Sequence, residues 1–275
     1  MVIDWAVGKG RLSAGDKSLE WESFGAFPGS GDVSVIVLLH EGLGCLALWR
    51  DFPTQIVEAT GLPVFAYSRA GYGQSDAAAL PRPLDYMTRE AVDVLPDVLN
   101  AIGATSYIFL GHSDGATIAA EYVGRIRDQR IRALVLMAPH FFTEPMNIAE
   151  IEKTKEAFET TDLKARMAKY HRDPEVAFRG WNDAWLDPRF LDWNVTDVID
   201  NIKVPTLVIQ GRQDQYGTEK QLQEIEKRNP SRVDIALLDG CRHSPQFDQP
   251  EKTLALTKGF LDGLIPFNAD DIEAV

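Results

Sequence analysis

The sequence predicts an α/β fold in which a mostly parallel central sheet is flanked by helices and interrupted once by a small helical insertion. The runs "VSVIVLLH", "PVFAYS", "SYIFLG", "IRALVLMAP", "PTLVIQG" and "VDIALLDG" are apolar at consecutive rather than alternate positions. That pattern belongs to strands covered on both faces. Helical stretches lie between most of them, so strand and helix alternate as in parallel βαβ units. The alternation stops between about Phe141 and Asn201, where no strand-like run occurs.

Taken in order, "RLSAG" and "KSLEWESFG" flank the turn "AGDK", and the alternation Leu19, Trp21, Ser23 marks a half-exposed strand, so an antiparallel edge hairpin is expected first. The polar, glycine-rich "PGSGD" leads into the first fully apolar strand, which ends at "EGLG". Helices follow over "LWRDFPTQIVEATG", "TREAVDVLPDVLNAIGA" and "ATIAAEYVGRIRD", each ahead of the next apolar run. In the strandless segment Asp173-Pro174 reads as a helix cap followed by a first-turn proline, with Phe178, Trp181 and Trp185 at helical spacing behind it. Met146, Ile151, Phe158, Leu163 and Met167 fall on earlier helical stretches. Residues 141–201 are therefore expected to form a cap over a core built from 1–140 and 202–275. So small a unit cannot hide that much aromatic surface within itself, so the cap should rest on the ligand-binding edge of the sheet. The acidic tail "NADDIEAV" is expected to fray.

With 275 residues, 45% hydrophobic and 25% charged, the chain has the size and composition of an ordinary folded protein. A net charge of −13 without a basic cluster sets up a field that repels polyanions, which argues against nucleic acid as a partner. "MVIDWAVGKGRLSAG" lacks an apolar stretch of signal-peptide length, and the apolar runs are too short to span a bilayer. No membrane partner and a cytoplasmic location are expected, with the chain a monomer or homodimer. Cys45 and Cys241 are too few for a disulfide framework and should be free, buried thiols. No His/Cys/Asp/Glu group has metal-ligand spacing, and the glycines of "YSRAGYGQSD" do not form a dinucleotide fingerprint, so neither metal nor cofactor is expected.

The segment "FLGHSDGA" contains Gly-x-Ser-x-Gly, with Ser113 at its centre. Alone, the match is a weak signal, because serine and glycine are also common helix-cap and turn residues. Its place between the apolar strand "SYIFLG" and the helix "ATIAAEYVGRI" gives it weight, since a sharp strand-to-helix turn lifts a serine hydroxyl to the edge of a parallel sheet. Such a serine needs a base, and the base needs a partner that fixes its tautomer. "LVIQGRQDQYG" puts Asp214 after one core strand and "IALLDGCRHSP" puts His243 after the next. Asp239 competes with Asp214 for the acid role but sits on the same loop as His243, and Asp248 should begin the last helix.

Together, "VIVLLHEGLG", "YSRAGYGQSD", "GHSDGA" and "RHSPQFDQPE" resemble the α/β-hydrolase fold superfamily over nearly the whole chain, with the insertion where that family carries its cap. By pattern the chain looks like the capped esterases, enol-lactonases and meta-cleavage product hydrolases. The resemblance implies a serine hydrolase of a carboxylic ester or lactone, and Trp49, Phe141, Phe142, Trp181 and Trp185 together suggest a small, apolar substrate. Its nucleophile would be Ser113, its base His243 and its acid Asp214. It also implies an oxyanion hole from the backbone N–H groups of Asp114 and Gly42, with Leu43 the alternative to Gly42. The family usually reads His-Gly where this chain has His40-Glu41. Epoxide hydrolases and dehalogenases of this fold place an aspartate where Ser113 stands. The alternatives to ester cleavage are hydrolysis of a C–C bond in a ring-cleavage product and a non-catalytic small-ligand receptor.

Glu41, Trp49, His140, Phe141, Trp181 and Trp185 are the candidate pocket residues. His40 and His112 flank the site and should fix loops by hydrogen bonds, whereas His171 reads as a surface residue.

Overall fold

The computed structural model describes residues 2–27 and 33–264; the "PGSGD" loop and the "NADDIEAV" tail lie outside the described residues. The strands are β1 (Lys9–Ala14), β2 (Lys17–Phe24), β3 (Val35–Leu39), β4 (Val64–Tyr67), β5 (Tyr107–His112), β6 (Ile131–Met137), β7 (Thr206–Gly211) and β8 (Val233–Leu238). They form one sheet in the order β1-β2-β4-β3-β5-β6-β7-β8. The β1–β2 and β2–β4 pairs are antiparallel and all the others parallel.

Every residue of β3, β4, β5 and β7 is buried, as their unbroken apolar runs require. Within β3 the side chains still divide by strand period, Val35, Val37 and Leu39 entering one core and Ile36 and Leu38 the other. β8 departs from expectation: only Leu238 is buried, because this strand ends the sheet and lacks a neighbour on its outer side.

The helices are α1 (Phe52–Thr60), α2 (Tyr86–Arg89), α3 (Leu95–Ile102), α4 (Asp114–Arg125), α5 (Pro145–Thr160), α6 (Leu163–Met167), α7 (Pro174–Trp185), α8 (Glu219–Arg228), α9 (Pro245–Asp248) and α10 (Pro250–Asp262). A π-helical turn, Glu90–Val94, joins α2 to α3. The core on one face takes Phe52 and Ile56 of α1 with Phe260 and Leu261 of α10; the core on the other takes α3, α4 and α8. The sheet is thus covered on both faces.

Between β6 and β7 the chain forms α5, α6, α7 and two 3-10 turns, Pro188–Asp192 and Thr196–Asn201. The Asp173 carboxylate accepts from the N–H groups of Glu175 and Val176, and Pro174 occupies the first turn of α7. Phe158 of α5 stacks on Phe178 of α7 with ring centroids 3.8 Å apart, and Asn182 Nδ2 donates to the Ile151 carbonyl at 3.1 Å. Cys45 and Cys241 are buried, unpaired, and belong to different cores. Among the described residues no helix is long and apolar enough to cross a membrane.

Candidate active site

Parallel strands deliver their carboxyl ends to one edge of the sheet, and the loops leaving β3, β5, β6, β7 and β8 supply the candidate residues there. Ser113 follows the last residue of β5 and precedes α4 with φ 54°, a backbone conformation that non-glycine residues adopt only when their surroundings enforce it. Its N–H donates to the Met137 carbonyl at 2.9 Å, and its carbonyl accepts from Ala116 and Thr117 as the helix begins. The flanking glycines let this elbow form. A Cβ on Gly115 would lie 1.9 Å from the Leu39 carbonyl oxygen, and one on Gly111 would lie 2.4 Å from the Gly115 carbonyl oxygen.

His243 lies beyond β8 and Asp214 beyond β7. The His243 Nδ1 sits 2.9 Å and 3.0 Å from the two Asp214 carboxylate oxygens. The Tyr216 N–H donates to the same carboxylate at 2.8 Å. Burial works to raise the Asp214 pKa, but His243 and these hydrogen bonds prevail and hold it below the ordinary value. An ionised acceptor at Nδ1 fixes the proton there and leaves Nε2 as the free basic nitrogen. The competing carboxylates are engaged elsewhere: Asp239 pairs with Arg212 at 2.6 Å, and Asp248, at the end of α9, accepts from the Arg242 N–H at 2.7 Å.

Ser113 and His243 line one cavity of about 100 Å³ together with Glu41, Gly42, Leu43 and Asp114. Among the described residues no hydrogen bond joins Ser113 Oγ to the His243 ring, a link that often tightens only when substrate arrives. The N–H groups of Gly42, Leu43 and Asp114 also donate to no protein acceptor among the described residues. Loop chemistry accounts for the Gly42 N–H. The Glu41 carbonyl accepts from Arg69 Nη2 at 3.1 Å, from His40 Nδ1 at 2.8 Å and from the Gly44 N–H at 3.1 Å. In a trans peptide the N–H points opposite to the carbonyl, so the Gly42 N–H faces away from Arg69. Gly42 must itself be small, because a Cβ there would meet the Trp181 indole at 2.3 Å.

Arg69 is fully buried and also donates through Nη1 to the His40 carbonyl, while its Nη2 lies 3.8 Å from Asp114 Oδ2. The His40 ring accepts at Nε2 from the Arg69 N–H, so its proton is on Nδ1; burial and Arg69 keep it neutral, well below the usual histidine range. The Asp114 carboxylate accepts from Tyr86 Oη at 2.5 Å, and Tyr86 Oη accepts in turn from Trp185 Nε1 at 3.0 Å. This chain of bonds links α7 to the start of the elbow helix.

Glu41 and His112 form a second pair. His112 Nε2 lies 2.7 Å from the His243 carbonyl, and Nδ1 faces Glu41 Oε2 at 3.5 Å and the Gln246 carboxamide nitrogen at 3.1 Å. Burial opposes charge on both residues, yet their mutual attraction wins, raising His112 and lowering Glu41 from their ordinary values. The Gln246 oxygen is buried and unpartnered, and turning that amide over would present it to a protonated His112.

Of the sequence candidates, Ser113, His243, Gly42, Leu43, Asp114, Glu41, His140, Trp181 and Trp185 all border the cavity, with Asp214 behind His243. Trp49 does not. It belongs to a 3-10 turn leading into α1 and stacks on Phe52 in the core on the opposite face of the sheet. Phe141 is also absent from the lining: its N–H donates to Gln221 Oε1 and its carbonyl accepts from the Val195 N–H, which turns its ring into the core. His171 is buried rather than at the surface, bridging the Gly73 N–H and the Leu43 carbonyl. Three lining residues escaped sequence reasoning as site residues: Asn147, Ile151 and Tyr216. Tyr216 stands two positions after Asp214, and Ile151 was visible only as a helical apolar residue; nothing local marks Asn147.

Comparison with known proteins agrees with this architecture. A 1-acylglycerol-3-phosphate O-acyltransferase from Sus scrofa is 29% identical over 118 residues, a match covering 43% of this chain and only 33% of that relative. An epoxide hydrolase 3 from Xenopus tropicalis is 24% identical over 268 residues, covering 82% of this chain and 71% of the relative. The structure of a thermophilic esterase from Thermogutta terrifontis superposes with a TM-score of 0.72 at 16% identity, covering 93% of this chain and 98% of the esterase. The sequence model of the alpha/beta hydrolase family matches residues 36–256, from the first fully buried strand to the last helix, and the chain belongs to that family.

Proposed function

We propose that the protein is a serine hydrolase that cleaves a carboxylic ester or lactone of a small substrate, with residues 141–201 acting as the cap over its site. The observation that carries this reading is the juxtaposition of Ser113 on its elbow with the free face of a histidine whose Nδ1 is held by both oxygens of Asp214. In this scheme His243 Nε2 takes the proton from Ser113 Oγ as that oxygen bonds to the substrate carbonyl carbon. The resulting oxyanion accepts from the Asp114 and Gly42 N–H groups, a contribution typically worth about 10²–10³ in rate for one donor. The carbonyl then reforms, the alcohol leaves with the proton from His243, and water cleaves the acyl-enzyme by the same steps in reverse order.

The serine also favours this chemistry over epoxide opening, because the sequence offers a hydroxyl rather than a carboxylate at the elbow. Reaction with a fluorophosphonate probe followed by peptide mass spectrometry, beside p-nitrophenyl esters of increasing acyl length, tests the proposal. The expected result is a label on Ser113, ester turnover, and loss of at least about 10⁴-fold in kcat in Ser113→Ala. Equal turnover by wild type and Ser113→Ala overturns it. Labelling without ester turnover points to the C–C hydrolase, and neither labelling nor turnover to a ligand receptor.

A further inference from the structure

The cavity contains a polar group that the hydrolytic scheme does not use. Asn147, in the first turn of α5, is fully buried, and both its Oδ1 and its Nδ2 lack a hydrogen-bond partner. It borders the cavity one helical turn before Ile151, on the same face of α5. A stranded carboxamide is costly in a protein interior, since a buried group left without a partner loses the hydrogen bonds it made in water. Ile151, Leu43, Trp181 and Trp185 around the same cavity are apolar or aromatic. His140, another wall residue, adds a second unpartnered atom at Nδ1, and burial holds this ring near a pKa of about 3, so it stays neutral.

The chemistry of the amide restricts its occupant. A carboxylate or phosphate would satisfy Nδ2 alone and leave Oδ1 bare. An ammonium would satisfy Oδ1 alone. A hydroxyl donates and accepts at once, so it satisfies both ends of the side chain without introducing charge. Resting on the serine-hydrolase reading above, we infer that Asn147 determines specificity for a hydroxyl-bearing ester or lactone, the hydroxyl replacing the partners that the fold withholds from it.

The test uses an isosteric pair, phenyl 3-hydroxybutanoate and phenyl 3-methylbutanoate, in which a hydroxyl replaces a methyl group. Wild type should favour the hydroxy ester in kcat/KM by roughly 10- to 100-fold, because the methyl analogue leaves the amide unpaired. In Asn147→Leu that ratio should collapse to about one or invert, while Tm holds or rises by about 2–4 °C as an unpaired buried polar group is replaced by an apolar one of similar size. A merely structural asparagine predicts the opposite: a lower Tm and an unchanged ratio. Asn147→Ser, which keeps a donor and acceptor, should retain part of the preference.

A wild-type ratio near one, or a ratio that survives Asn147→Leu, overturns the inference. Affinities of 3-hydroxybutanamide and 3-methylbutanamide for Ser113→Ala, measured by calorimetry, read the same preference without chemistry. If that binding preference is present but wild type shows no label at Ser113 and no turnover, the hydrolase reading fails and the Asn147 assignment stands.

Discussion

Replacing Gly115 by alanine tests the elbow geometry most directly, because the added methyl group has nowhere to go. Its Cβ would lie 1.9 Å from the Leu39 carbonyl oxygen, 2.4 Å from the Leu39 carbonyl carbon and 2.8 Å from the His40 carbonyl oxygen. All three are backbone atoms of β3 and the loop after it, which no rotamer change can move. A carbon–oxygen contact needs about 3.3 Å, so α4 and the β3 loop must separate by more than about 1 Å. Asp114 rides on α4 and Gly42 on that loop, so the separation widens the gap between the two N–H groups assigned to the oxyanion. A displacement of about 1 Å at such a site lowers kcat by about 10²-fold, and the overpacking destabilises by about 1–3 kcal/mol.

Gly259 supplies the control. It lies inside α10, and nothing stands within 4 Å of its Cβ position. Alanine there should stabilise by about 0.5–1 kcal/mol and leave turnover unchanged. The assay is kcat/KM on the best ester of the panel, with Tm from calorimetry. Wild-type kinetics and Tm in Gly115→Ala would refute the argument.

The loop and its charge pair give two more expectations. Arg69→Met removes the cation that faces Asp114 and the donors that hold the His40 and Glu41 carbonyls, leaving a buried carboxylate uncompensated. A loss of about 3–5 kcal/mol in urea unfolding is expected, with impaired turnover in whatever fraction folds; a change below 1 kcal/mol would sink this account. Glu41→Gln should remove a pH-dependent part of the stability. The raised His112 pKa contributes stability that is complete below its ordinary 6.5 and is lost as pH rises through its folded value. The lowered Glu41 pKa contributes stability that is complete above its ordinary 4.5 and is lost as pH falls through its folded value. The advantage of wild type over Glu41→Gln should therefore be greatest between pH 4.5 and 6.5, and a Tm difference that is flat with pH contradicts the pairing.

The parallel strands were legible because burial on both faces writes a run of consecutive apolar residues, and the elbow because glycine, serine and glycine sit where a strand gives way to a helix. Asp214 and His243 were legible by position, each following a core strand in turn. What failed to show depends on which face of the sheet a loop turns toward. Trp49 and Trp181 are equally aromatic, and both belong to segments close to the site in the reading of the chain. Yet Trp49 is carried by a 3-10 turn into the core beneath α1, while Trp181 covers Gly42 from α7. The edge character of β8 was hidden for a related reason, since its composition matches that of the interior strands and only its lack of an outer neighbour exposes it.

His171 shows how far such non-local terms reach. It follows α6 by a few residues in a charged stretch, and its environment there reads as surface. Its partners are 98 and 128 positions away: Nδ1 accepts from the Gly73 N–H at 3.0 Å, so Nε2 carries the proton it donates to the Leu43 carbonyl at 3.1 Å. Burial lowers its pKa, which keeps this single-proton arrangement in place. The helices inserted between β6 and β7 thus grip the β3 loop at Leu43, and α7 presses on the same loop at Gly42 through Trp181. Through Tyr86, Trp185 of α7 also reaches Asp114. Each N–H group proposed to bind the oxyanion is therefore braced by the inserted segment, so displacing that segment would also remove contacts that hold Gly42 and Asp114 in place.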